Sequence, residues 1–211
     1  MRWAAVVILA FIGGSAYAQV PERMTICDGA NSASCTPYGS AYPQVITGNT
    51  NINTYSAAIH NFGNSSAGDI FCIAGSATKI VKVKGVRVSA IASQAVNSSI
   101  SIIRRSTLNS GGTPSSVTIV PNDTNNPAST ATVTAYATAP TPGTQVGIVR
   151  SQKLSIATAT TTAFAANPAL FQFSVYWDQP LILRGVNQNI CVDVDATAGG
   201  TWEVDEEHTE E

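Results

Sequence analysis

The chain has 211 residues, 44% of them hydrophobic and only 11% charged, with a formal net charge of −2. That much apolar material excludes a disordered chain, and the weak acidic balance argues against nucleic acid or anionic lipid as the main partner. Ser and Thr together fill 44 positions, so the exposed surface is made of hydroxyls more than ions, as on the solvent face of a sheet.

Residues 1–18, MRWAAVVILAFIGGSAYA, have the form of an export signal: Arg2, an apolar run from Trp3 to Ile12, a Gly13-Gly14-Ser15 break, and Ala16-Tyr17-Ala18 before the cut. The apolar run is about half of the ~20 residues a spanning helix needs. The expectation is therefore a cleaved signal, no stable membrane insertion afterwards, and a secreted, periplasmic or cell-surface location. Residues 19–50 carry Pro21, Pro37, Pro43, Gly29, Gly39 and Gly48 with little periodicity, and read as an irregular N-terminal arm. All four cysteines follow the signal, in a compartment where disulfides persist. Cys27 and Cys35 bracket a flexible stretch that a local bridge would staple. Cys72 and Cys191 lie in the apolar runs FCIAG and NICVDV, where a bridge would tie an early strand to a late one. Three connectivities stay open, and no pair has the CxxC spacing of a zinc knuckle.

From residue 51 the chain becomes short apolar runs separated by turn residues. Ile70-Phe71-Cys72-Ile73 is the first. Lys79 to Ile91 alternates, with Val81 and Val83 opposing Lys82 and Lys84; Gly85 shifts the phase so that Val86 and Val88 oppose Arg87, which predicts a β-bulge at the glycine. Further strands are expected at 96–104, 117–120, 130–137, 145–154, 170–177, 181–183, 190–194 and 201–204, with PNDTNNP (121–127) as a turn. No segment carries a helical apolar stripe. The fold expectation for 51–211 is an all-β, antiparallel, jelly-roll-like sandwich ending in an acidic tail.

Few residue sets point to chemistry. The two histidines are His60, between turn-prone residues, and His208, inside EVDEEHTEE, and there is no G-x-S-x-G elbow. No catalytic, cofactor-binding or metal-ligating set is expected. Asp193 and Asp195 share a strand face and are the acids that could flank a glycan hydrolase's site, but they read as a solvated face leading into the AGG turn. DVDATAGG departs from a calcium loop at its sixth and twelfth positions, Ala198 and Val204. Lys79, Lys82, Lys84 and Arg87, with Arg104 and Arg105, form a basic strip without interleaved aromatics, which disfavours nucleic acid. It reads as edge or solvent-face protection, or as an intersubunit contact with the acidic tail. Tyr176 and Trp202 are the rings available for an exposed glycan platform.

The segments TYSAAIHNF (54–62), AGDIFCIAGSATKIVKVKGVRVSA (67–90), SIIRRSTLNSGG (101–112), 121–154 and LILRGVNQNICVDVD (181–195) resemble a family of uncharacterised structural proteins of tailed phages and prophages. The resemblance covers about 54–211 and implies a β-sandwich virion or surface component, with no catalytic residues to carry over. The export signal and cysteine arm depart from that pattern and favour an exported relative or a domain reused at a cell surface. The functional expectation is a non-enzymatic structural or interaction protein that self-associates or binds another structural protein. A secreted carbohydrate-binding module or adhesin is the alternative, with a glycan as partner.

Overall fold

The computed structural model describes residues 52–93, 95–156, 158, 168–173, 179–196 and 201–211. The export segment 1–18, the arm 19–50 with the Cys27 and Cys35 expectation, and Tyr176 lie outside the described residues. The described residues hold twelve strands: β1 (Asn53–Gly63), β2 (Gly68–Ala74), β3 (Ile80–Ile91), β4 (Val96–Arg105), β5 (Pro114–Val117), β6 (Ile119–Pro121), β7 (Thr132–Tyr136), β8 (Gln145–Ile156), β9 (Ala169–Gln172), β10 (Leu181–Arg184), β11 (Asn189–Val194) and β12 (Thr201–Glu210). Among the described residues there is no helix.

The strands form two antiparallel sheets packed face to face. Sheet I runs β10-β3-β12-β1-β6, with β9 continuing the β10 edge of β3; sheet II runs β5-β7-β2-β11-β4-β8. The last strand lies between the first and third in one sheet, and the eleventh lies between the second and fourth in the other. That nesting is the rolled-up connectivity of a jelly roll. The expected 117–120 strand is instead divided at Thr118, with β5 joining sheet II and β6 joining sheet I.

The core follows from alternation. Val81, Val83, Val86, Val88 and Ala90 of β3 face Phe71, Ile73, Ile100, Ile102, Ile190 and Val192 of sheet II across one buried cluster. The bulge expected at Gly85 is present: Glu207 pairs Gly85 and His208 pairs Val83, which leaves Lys84 as the extra residue. A second bulge was not visible in the sequence. Val192 pairs Phe71 and Asp193 pairs Asp69, so Ile70 is the extra residue on β2. It joins Phe71 in the core and turns Asp69 to the outer face of sheet II.

The acidic tail is a correction. Residues 201–210 form a central strand of sheet I, paired along its length with both β1 and β3. Trp202, Val204, Glu206, His208 and Glu210 face inward and are buried, while Glu203 faces His60 of β1 and Asp205, Glu207 and Glu211 face the cations of β3.

Candidate functional site

The basic strip is internally compensated. Lys82 pairs with Glu211, Lys84 with Glu207 at 3.1 Å, Arg87 with Asp205, and Lys79 with Glu210 at 3.4 Å. The first three pairs cross from β3 to β12, or to the residue that follows it, on the outer face of sheet I. As exposed pairs they contribute little stability, but they neutralise the strip that would have made an intersubunit contact with a free tail. Arg104 and Arg105 do not join the strip, because β4 belongs to the other sheet. Arg104 reaches the Ile182 carbonyl (2.8 Å) and Gln188 (3.2 Å), bridging the two sheets. Arg105 is buried. Trp202 is fully buried on the inner face of β12, so it cannot serve a glycan platform. His60 is a surface residue bonded to Asn61 and Glu203.

Two charge clusters that the composition hides are built by the sheets. The first lies on the outer face of sheet II. Arg105 clasps Asp69 through Nε (2.8 Å) and Nη2 (2.7 Å), with both side chains at most 4% exposed. Asp193 stands beside Asp69; burial pushes its carboxyl up to about 6, with the Asp69 charge and hydrogen bond adding to the rise and Arg105 opposing it. The Tyr136 hydroxyl is also pushed up, by burial and then by Asp69. Asp195 does not share this site. It accepts from the Ser99 N–H at 2.6 Å and from the Ser98 hydroxyl, and those bonds hold its carboxyl below the ordinary value. The neighbouring carboxylates are therefore 69 and 193, and not the 193 and 195 that share a strand face.

The connections 106–113 and 137–144 lie over this cluster and are stitched together by Ser110 and Thr141, each donating its N–H to the other's carbonyl. A side chain at Gly143 would meet the Thr107 carbonyl oxygen at 2.0 Å, so only glycine permits this closeness. Asn109 reaches down from the cap, donating to Asp69 (2.7 Å) and toward Cys72 Sγ (3.3 Å), while accepting from Gly143 N–H. Beneath it, Cys72 and Cys191 sit directly opposite on β2 and β11 and are bridged, as expected. A cavity of about 280 Å³ opens beside Cys72, bounded by Leu108, Asn109, Thr134 and Tyr136.

The second cluster lies inside sheet I. His208 Nδ1 is 3.1 Å from Glu206 Oε2 and its Nε2 is 3.8 Å from Glu210 Oε1, all three side chains being inaccessible to solvent. Tyr55 stacks on the imidazole at 5.4 Å. Burial pushes the Glu206 carboxyl up, against the pull of His208, and its Oε1 has no hydrogen-bond partner among the described residues. Burial also acts on Glu210, but hydrogen bonds outweigh it and the net shift is downward. The donors are the hydroxyls of Ser129 (2.6 Å) and Thr130 (3.0 Å) and the N–H groups of Thr130 (2.8 Å) and Ala131 (2.9 Å). The order Ser129, His208, Glu206 has the form of a hydrolytic relay. The Ser129 hydroxyl, however, donates to Glu210, and Glu210 also occupies the N–H pair that an oxyanion would need. The cluster is a latch that fastens the segment leading into β7 to the end of β12.

Among the described residues no helix is long and apolar enough to cross a membrane. No family model, curated protein or solved structure matches the chain.

Proposed function

We propose that the domain is an exported, non-enzymatic structural module that works by joining copies edge to edge, in a phage-like virion or on a cell envelope. One observation carries the reading. Among the described residues, three of the four sheet edges end in strands of three or four residues: β6, β5, and the β9/β10 pair. Short edges blunt unwanted pairing. The fourth edge is β8, twelve residues long, and among the described residues no strand pairs with its outer side. Val146 and Ile148 on it are 63% and 58% exposed. A long open edge with exposed branched side chains is a template for strand addition.

A second copy is the occupant that fits. Antiparallel pairing of β8 with β8 about a two-fold axis at Ile148 sets the two isoleucines opposite each other and Arg150 opposite Val146. Lys153 then falls beyond the start of the partner strand, so like charges stay apart. The resemblance to phage structural proteins supports the same reading, and the Cys72–Cys191 bridge is compatible with an extracellular location. The fold itself is neutral on function. Light scattering behind size exclusion tests the reading: the native chain elutes as a dimer or larger species and Ile148→Lys as a monomer. A native chain that stays monomeric at every concentration overturns it.

A further inference from the structure

The Cys72–Cys191 corner has a donor set that the linear spacing of the cysteines conceals. We propose that reduction of this bridge unmasks a binding site for one borderline-soft divalent cation of the zinc type, held by both thiolates and the Asp69 carboxylate. The sulfurs come from positions 119 residues apart, brought opposite each other by the β2/β11 register. Asp69 reaches the same face only because the bulge at Ile70 turns it outward. One carboxylate oxygen and the two sulfurs all lie within 4.8 Å of one another. Once the bridge opens, the sulfurs need a separation of only about 3.8 Å to bind a tetrahedral ion at metal–sulfur distances near 2.3 Å.

The surroundings fit the charge. Asp69 is already paired with Arg105, and two thiolates cancel the two positive charges of the ion, which leaves Asp193 as the acid beside the group. The Asn109 amide, which points its N–H at both sulfurs, favours thiolate over thiol. Asp69 Oδ2, which accepts from both Asn109 and Arg105 Nε, exchanges the Asn109 bond for the ion, while Oδ1 keeps its bond to Arg105 Nη2. The cavity of about 280 Å³ beside Cys72 gives a route in and room for a water as fourth ligand. Two thiolates select zinc-like ions over calcium or magnesium.

The redox step balances with a dithiol as reductant. It delivers two electrons and two protons to the S–S bond, becomes a disulfide itself, and leaves two protein thiols. Their protons pass to solvent as the metal–sulfur bonds form. A phosphine does the same in vitro, taking its oxygen from water.

Co²⁺ is the probe, on the full chain with Cys27→Ser and Cys35→Ser so that only this pair of thiols remains. After phosphine reduction under anaerobic conditions, the expected result is one Co²⁺ per chain, a thiolate-to-cobalt charge-transfer band, a tetrahedral visible band and a raised Tm. The oxidised chain binds none, Cys191→Ser abolishes the charge-transfer band's two-thiolate intensity, and Asp69→Asn weakens binding at least about tenfold. Because Asp69→Asn also unpairs Arg105, the variant Asp69→Asn/Arg105→Gln, which removes the pair together, is read if the single variant does not fold. Absence of the band in the reduced chain overturns the proposal, as does a band indifferent to loss of Asp69. A reduced chain that unfolds and is not restored by Co²⁺ overturns it too.

Discussion

Glu210 accepts a 2.6 Å hydrogen bond from the Ser129 hydroxyl, eighty-one residues earlier in the chain. The last turn-prone approach to β7 is thereby fastened to the final strand of the opposite sheet. With Thr130 and Ala131 adding their N–H groups, a carboxylate that composition would assign to a solvated tail is a buried acceptor with four donors.

Glu210→Gln keeps the shape and loses the charge, so it is expected to destabilise the domain at pH 7 by about 1–3 kcal/mol in urea unfolding. The pH dependence has a definite sign. The folded carboxyl titrates below its ordinary value of 4.5, so its stabilisation is complete above that value and is lost as pH falls through the folded pKa. The variant is expected to show a flatter acid limb than the native chain. An unchanged acid limb would remove Glu210 from the latch.

Asp193 has the opposite sign. Its folded carboxyl titrates at about 6 against an ordinary 3.8, so the folded state holds a proton that the unfolded state releases. Stability therefore falls as pH rises through the interval from about 4 to about 6. Asp193→Asn, which still offers Asp69 a donor, is expected to raise stability at pH 7.5 by on the order of 1 kcal/mol after discounting for solvent screening. It should have almost no effect at pH 4. Equal effects at both pH values would show that burial and Asp69 do not hold the Asp193 carboxyl above its ordinary value.

Breaking the Asp69–Arg105 clasp leaves a buried charge alone. Arg105→Leu is expected to cost about 3–5 kcal/mol, measured as a lower urea midpoint. Replacing both partners with apolar residues should cost much less, since the unpaired charge goes with them.

Reduction of Cys72–Cys191 releases a loop closed across 119 residues. In the absence of added metal, that should lower stability by about 2–5 kcal/mol and lower Tm by several degrees. Cys72→Ala/Cys191→Ala should behave like the reduced chain. A Tm indifferent to reductant would contradict a role for this bridge in holding β2 against β11.

The fold was legible where alternation is clean. Lys79 to Ile91 announced both its two faces and its bulge at Gly85, and the two cysteines inside apolar runs offered a bridge between distant strands as one of three connectivities. The clusters were not legible for two physical reasons. A bulge such as that at Ile70 changes which face Asp69 occupies without leaving a glycine as a marker. Inward-facing acids need partners to be tolerated, and those of Glu210 come from residues 129–131, far off in sequence. One signal was present: the period of two set by Trp202 and Val204, continued along the strand, carries Glu206, His208 and Glu210 to the same buried face.

The most direct test of edge-to-edge assembly uses Ile148→Cys, in a chain whose Cys27 and Cys35 are serine. Cross-strand partners on one face lie close enough to bridge, so a two-fold axis at this residue predicts a covalent dimer under mild oxidation. Val120→Cys, equally exposed on the short β6 edge, should remain monomeric. A monomeric Ile148→Cys chain, or cross-linking of Val120→Cys to the same extent, would contradict the account.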